Sequence, residues 1–288
     1  MSDTTQAPFT LEDGLNLALY DWPLPIRWRP RGVVLIVHGL GEHAWRYDPL
    51  AQRLNEWGFA VRAYDQRGHG ESGGQRGVLP RDDQLLHDLA EVVDDTRHHI
   101  AEPWSCPLIL LGHSMGGLLA ATFVQRKMAK VDRLVLSSPA FDAGISALMK
   151  KLIRVLYRVA PNLTLPNGLD PRRISHSEAV VQAYQGDKLV HDRISARLAT
   201  FIDSNGPHVL ASAPHWQVPT LLMYAGEDYL VRPAGSRAFA AAAPANRVTT
   251  HCFDRLYHEI FNEVDPSPVY ACLKQWLDQQ APAPRSAA

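Results

Sequence analysis

Cysteine is scarce in this chain. Cys106, Cys252 and Cys272 are the three in 288 residues, and their odd number and wide spacing exclude a disulfide framework or a zinc motif of paired cysteines. They read as reduced core thiols. No apolar run reaches membrane-spanning length, and the opening Met-Ser-Asp-Thr-Thr-Gln has neither a basic n-region nor an apolar h-region. The expectation is therefore a cytoplasmic protein, at most peripheral to a membrane. A surplus of either charge is also missing, since 29 Lys and Arg stand against 30 Asp and Glu for a formal net charge of -1. Without a long basic run, no nucleic-acid partner is expected.

What is present is an alternation of strand and helix patterns in a chain that is 46% hydrophobic. Strands are expected at Asn16 to Tyr20, Val33 to Val37, Phe59 to Tyr64, Leu108 to Leu111, Arg133 to Ser137, Thr220 to Ala225 and Val248 to Phe253. Helical patterns lie between most of them, clearest over Asp82 to Ile100, where Leu85, Leu86, Leu89, Val92, Val93, Thr96 and Ile100 share a face. The fold class is α/β, with a mostly parallel central sheet of about eight strands and helices on both faces.

One strand, Leu108-Ile-Leu-Leu111, ends abruptly in Gly112-His113-Ser114-Met115-Gly116, and a helical pattern follows at once. This context makes the G-x-S-x-G a nucleophile elbow, in which the turn displays Ser114 and the glycines let the backbone cross itself closely. A serine hydroxyl needs a base, and the base needs an orienting acid. In sheets carrying such an elbow the chain order is Ser, acid, His. The strand Thr220 to Ala225 runs into Glu227-Asp228; Asp228 is the chosen acid and Glu227 its competitor, since neighbouring side chains point to opposite faces. Among thirteen histidines, His258 alone sits in the loop after the last strand and before the final helix. The turn His38-Gly39-Leu40-Gly41, after Val33 to Val37, has the form of an oxyanion-hole element, so the backbone amides of Leu40 and Met115 are the candidate donors. In Asp65 to Ser72, Arg67 and His69 could pass for catalytic groups, but two glycines and the spacing point to a scaffolding turn.

His38-Gly39-Leu40-Gly41-Glu42-His43, Asp65-Gln66-Arg67-Gly68-His69-Gly70-Glu71-Ser72, Gly112-His113-Ser114-Met115-Gly116-Gly117 and Tyr257-His258-Glu259 together resemble the monoacylglycerol lipase and lysophospholipase branch of the α/β-hydrolases, over nearly the whole chain. The resemblance implies a triad of Ser114, Asp228 and His258, oxyanion donors Leu40 and Met115, and a substrate-binding place for Glu42 and Arg46 at the glycerol end of the pocket. It implies no cofactor and no metal. Some members carry a second histidine three residues after the catalytic one, where this chain has Phe261.

The pattern breaks between Phe141 and Gln217, where helix-like sequence with Pro161, Pro166 and Pro171 separates two strands that a short connection would otherwise join. The expected organisation is a hydrolase core of residues 1–140 and 218–280, a helical cap insertion over 141–217, and a frayed tail from Ala281 to Ala288. In the first cap helix, expected over 145–160, Ile145, Leu148, Met149, Leu152, Ile153, Leu156, Val159 and Ala160 share one face, opposite Lys150, Lys151, Arg154 and Arg158. Two arrangements fit. The apolar face packs on the cap with the cations in water, or the basic helix makes transient contact with an anionic membrane surface, and an apolar inner face would line an acyl channel in either case. The expected activity is hydrolysis of monoacylglycerols or similar single-chain esters through an acyl-enzyme. A lysophospholipase, a small-ester esterase or a peptidase would share the same machinery. A non-catalytic binding protein would be expected to have lost a triad group.

Overall fold

Strands β1 (Thr5–Thr10) and β2 (Asn16–Trp22) form an antiparallel hairpin closed at Asp13-Gly14, where Gly14 takes a φ of 84°. In this computed structural model, residues 4–25 and 28–280 are described. The tail expected at Ala281 to Ala288 lies outside the described residues. β1 escaped the sequence reading because it is a mostly exposed edge strand containing Pro8, with little apolar alternation to mark it. The Asp-Gly pair was its one signal.

The remaining core strands are β3 (Val33–Val37), β4 (Ala60–Tyr64), β5 (Leu108–His113) and β6 (Arg133–Ser137), with β9 (Thr220–Ala225) and β10 (Val248–Phe253) after the insertion. They join into one eight-stranded sheet of order β1-β2-β4-β3-β5-β6-β9-β10, antiparallel only at the β1-β2-β4 end. The parallel strands are near-continuous apolar runs because helices cover both faces. Val33, Leu35 and Val37 share a core cluster with α2 (Gln84–Thr96) and α3 (Met115–Gln125), and Val34 and Ile36 face α1 (Asp48–Glu56) and α8 (Ser267–Gln280). Strand order reverses at β3, which has β4 on one side and β5 on the other. A crevice opens outside the carboxyl ends of strands at such a switch point.

The insertion between β6 and β9 carries α4 (Ala147–Val159), α5 (Glu178–Gly186) and α6 (Ala196–Ser212), with a ribbon of β7 (Thr164–Pro166) and β8 (Arg193–Ser195) pairing antiparallel between them. α7 (Pro233–Ala242) follows β9. The insertion is not uniform. Leu198, Phe201, Ile202 and Val209 of α6 are buried with the core helices, and a Cβ on Gly206 would come within 2.3 Å of the Phe141 carbonyl. Residues ahead of α6 instead sit on the site-bearing turns: His191 N donates to Gly41 O (2.9 Å), Ser195 N to Gly77 O (2.9 Å), and Glu259 N to Ile174 O (2.8 Å).

α4 corrects one of the two expected arrangements. None of its residues is buried, and Leu148 (79% exposed), Leu152, Val155 and Val159 (73%) form an open apolar ridge. Half-buried Ile153, Leu156 and Tyr157 face inward, and Lys150 Nζ pairs with Asp203 of α6 at 2.7 Å. The apolar stripe therefore points largely outward rather than lining a channel. Lys151, Arg154 and Arg158 are exposed along one flank of it.

Candidate active site

Ser114 lies between the last residue of β5 and the first of α3, with φ 54° and ψ -120°. A non-glycine residue with positive φ is strained and persists only where its surroundings hold it. Here its N–H donates to Ser137 O (3.0 Å), while its carbonyl accepts from Leu118 N (3.0 Å) and Ala140 N (3.0 Å). The glycines are sterically required. A Cβ on Gly112 would lie 2.4 Å from Gly116 O, and one on Gly116 would lie 2.2 Å from Val37 O. α3 thus begins pressed against the end of β3.

β9 and β10 run parallel with Ala225 beside Phe253, so the loops leaving them emerge together. Asp228 Oδ2 accepts from His258 Nδ1 at 2.6 Å, and Oδ1 accepts from the amides of Leu230 (2.9 Å) and Val231 (3.0 Å). A carboxylate only accepts, so the imidazole proton sits on Nδ1 and Nε2 keeps its lone pair. Both side chains are buried. Burial works against the Asp228 charge, but the His258 charge, its hydrogen bond and the two amides outweigh it and hold the carboxyl below its ordinary value. Burial likewise depresses His258, yet Asp228 first, then Glu259 and Glu42, lift it above an ordinary histidine. Glu227, the competitor acid, is exposed.

The turn His38-Gly39-Leu40-Gly41 after β3 is locked from two sides. Gly39 N donates to Glu42 Oε1 at 2.6 Å. His38 Nε2 accepts from Gln66 N (2.9 Å), which leaves Nδ1–H for Gly39 O at 2.7 Å. A Cβ on Gly39 would meet Ser114 Cβ at 3.2 Å and Glu42 Oε1 at 2.8 Å, so the turn, the serine and this carboxylate converge. The Met115 amide opens α3 and has no acceptor within the helix.

Glu42 and Arg46 make a buried network. Glu42 also accepts from Tyr47 Oη (2.7 Å) and Arg46 Nη1 (2.6 Å), and the Arg46 guanidinium meets Glu259 in a two-pronged pair at 2.7 Å on each prong. Burial opposes the Glu42 charge, but Arg46, then His113 and His38, bring its carboxyl down to about 2. Sequence reasoning quoted Glu259 without giving it a role; its position beside His258 was the only signal. His113 was also passed over. Its ring lies 4.7 Å from that of His258, its Nδ1 meets Ser137 Oγ at 3.0 Å, and burial followed by the His258 charge pushes it down to about 4. Phe261, at the position of the second histidine in some relatives, is buried, with its ring tilted against that of Tyr270 at 5.6 Å. It offers an alcohol nothing polar.

The Asp65 to Ser72 turn is scaffold. Asp65 accepts from Ala44 N (2.7 Å) and Glu71 N (2.8 Å), and Arg67 pairs with Asp88 through Nε (2.8 Å) and Nη2 (2.9 Å). His69 is buried beside His38 and His191.

Residues 28–265 match the model of the Hydrolase_4 family, serine aminopeptidase S33. A monoacylglycerol lipase of Mycolicibacterium smegmatis is 35% identical over 255 residues, covering 86% of this chain and 88% of that one. The phospholipase YtpA of Bacillus subtilis is 30% identical over 261 residues, 87% of this chain and 96% of its own. Among solved structures, the monoacylglycerol lipase of Paleococcus ferrophilus superposes with a TM-score of 0.79 at 33% identity, over 92% of this chain and 99% of that one.

Proposed function

This chain belongs to the Hydrolase_4 family of α/β-hydrolases, and from that premise we propose that it is a serine hydrolase that cleaves monoacylglycerols to fatty acid and glycerol. The observation that carries the reading is the strained Ser114 beside the Gly39 turn, together with a buried His258–Asp228 pair at 2.6 Å. In the reaction proposed, His258 Nε2 takes the Ser114 hydroxyl proton as Oγ attacks the ester carbonyl. The Leu40 and Met115 amides receive the oxyanion. As the tetrahedral intermediate collapses, the imidazolium returns its proton to the departing glycerol oxygen, leaving an acyl-serine. Water then adds through the same histidine and releases the acid. Asp228 fixes the reactive tautomer and stabilises the imidazolium throughout.

The Glu42 carboxylate and Ser114 Cβ both lie against Gly39, which supports placing the alcohol end of the pocket on this side of the serine. We assign the cap to the part of the insertion ahead of α6, a reading supported by the burial of Leu198, Phe201, Ile202 and Val209 of α6 among the core residues. The open ridge of α4, with cations along one flank, supports transient docking on an anionic lipid surface. Among the described residues no helix is long and apolar enough to cross a membrane.

The test is hydrolysis of monoacylglycerol by the wild type and by Ser114→Ala. The variant should keep its fold, lose labelling by a fluorophosphonate probe and lose on the order of 10⁶ in kcat. Retained turnover would overturn the reading. A panel including lysophospholipids separates it from the phospholipase activity named in a relative.

A further inference from the structure

The catalytic pieces sit on separate loops: the oxyanion turn after β3 and the histidine loop after β10. One side chain ties the two together. Arg46 Nη1 donates to Glu42 Oε2 (2.6 Å) and to Glu259 Oε1 (2.7 Å), and Nη2 donates to Glu259 Oε2 (2.7 Å). The first carboxylate holds the Gly39 amide at 2.6 Å, and the second belongs to the residue next to His258. Glu259 is fastened further by Asn262 Nδ2 at 2.8 Å. The guanidinium lies 4.7 Å from the ring of Tyr184 in the cap, and its side chain is only 11% exposed.

We propose that Arg46 is a positioning residue, whose guanidinium holds the oxyanion turn and the histidine loop in catalytic register through Glu42 and Glu259. The proposal rests on the serine-hydrolase reading and assigns Arg46 no contact with substrate. Two-pronged arginine–carboxylate pairs fix orientation as well as distance, and a small misplacement of a reacting group is costly in rate. The same cation balances two carboxylates that face the base. The groups around His258 are Asp228 from the loop after β9, Glu42 from the oxyanion turn, His113 from the elbow and Glu259 from its own loop; Arg46 reaches it through Glu42 and Glu259.

Arg46→Met, Arg46→Lys, Glu259→Gln and the double variant Arg46→Met/Glu259→Gln would be compared with wild type, each checked for fold by thermal melting. The substrates are a medium-chain monoacylglycerol and p-nitrophenyl butyrate, which has no glycerol. Arg46→Met should lower kcat on both esters alike, by roughly ten- to a hundredfold. Its acid limb of kcat/KM should move to higher pH, because two carboxylates lose their counter-charge. Glu259→Gln should move that limb to lower pH, and the double variant should return toward wild type. Arg46→Lys, keeping the charge without the fork, should lower kcat with the limb in place. A rise in KM confined to the monoacylglycerol would overturn the proposal in favour of direct alcohol binding. An unmoved limb in Glu259→Gln would also overturn it, even if Arg46→Met does not fold. The underlying reading is judged separately, by wild-type turnover and the Ser114→Ala loss.

Discussion

At the residue scale the main question is which acid serves His258, and hydrogen-bond geometry answers it better than chain order. Asp228 uses both carboxylate oxygens inside the fold, one on the imidazole at 2.6 Å and one on two amides, while Glu227 is exposed. Asp228→Asn should therefore lose about 10⁴ in kcat, because an amide can present an N–H to Nδ1 and stabilise the wrong tautomer. Glu227→Gln should stay near wild type. Steady-state kinetics on the two variants checks the pair, and the reverse ranking would reassign the acid. The base must be neutral to accept the serine proton, and the net effect of its surroundings lifts His258 above an ordinary histidine. kcat/KM should thus rise with pH through one ionisation lying above the usual histidine value of 6.5. A profile already flat below that value would contradict a carboxylate-supported imidazole. Ser114, Asp228 and His258 could be nominated from the sequence because each follows a strand end marked by glycine or an apolar-to-polar step. The partners of Glu42 and Arg46 could not, since Glu259 lies more than two hundred residues along the chain and meets them only after folding.

At the element scale, helical periodicity located α4 closely but left its orientation open between two arrangements. Periodicity reports that a face is apolar and says nothing about what covers it. The ridge of Leu148, Leu152, Val155 and Val159 is open, and it is the surface proposed to dock on lipid. Replacing Leu148, Val155 and Val159 with serine should weaken binding to anionic vesicles and slow hydrolysis of vesicle-borne substrate, with turnover of a soluble short-chain ester unchanged. Lys151→Gln, Arg154→Gln and Arg158→Gln should weaken the same binding by about 1 kcal/mol each, an effect that fades with salt. Lys150 is left out because its pairing with Asp203 ties α4 to α6. Vesicle and soluble assays falling in parallel would mean that the helix matters for folding rather than docking. α6 is the complementary case. It belongs to the insertion by sequence, yet Phe201 and its neighbours are buried with the core helices.

At the scale of the whole molecule, several histidines are stored neutral in the interior. Burial depresses His38 and His69, and burial with neighbouring positive charge brings His113 and His191 down to about 4. The unfolded chain takes up protons at these sites as pH falls through 6.5, the ordinary value, whereas folded His113 and His191 resist until about 4. Unfolding free energy should therefore fall between those limits, by about 1.4 kcal/mol for each unit of displacement at each site. His258 works in the opposite sense. Its folded value is raised, so its contribution is full below 6.5 and is lost as pH rises through the folded value, above the window in which the buried neutral histidines act. Below this window, Asp228 and Glu42, both held low, lose their share as pH falls through their folded values. Thermal melting from pH 7.5 to 4.5 should show a falling midpoint, and a level one would mean that these histidines stay solvated.

The sequence by itself determined the α/β alternation, the elbow, the order of the triad and the glycines that let β3, β5 and α3 approach, because these depend on local periodicity and on residues few positions apart. The physical reason is that apolar pattern, turn chemistry and steric demand are properties of short segments. Only the tertiary structure decided the edge strand β1, the outward ridge of α4, the place of α6 in the core and the Glu42–Arg46–Glu259 network. Those depend on which surface a face finds and on charges brought together across the chain, and such pairing exists only once the strand ends have been set side by side at the β3 switch point.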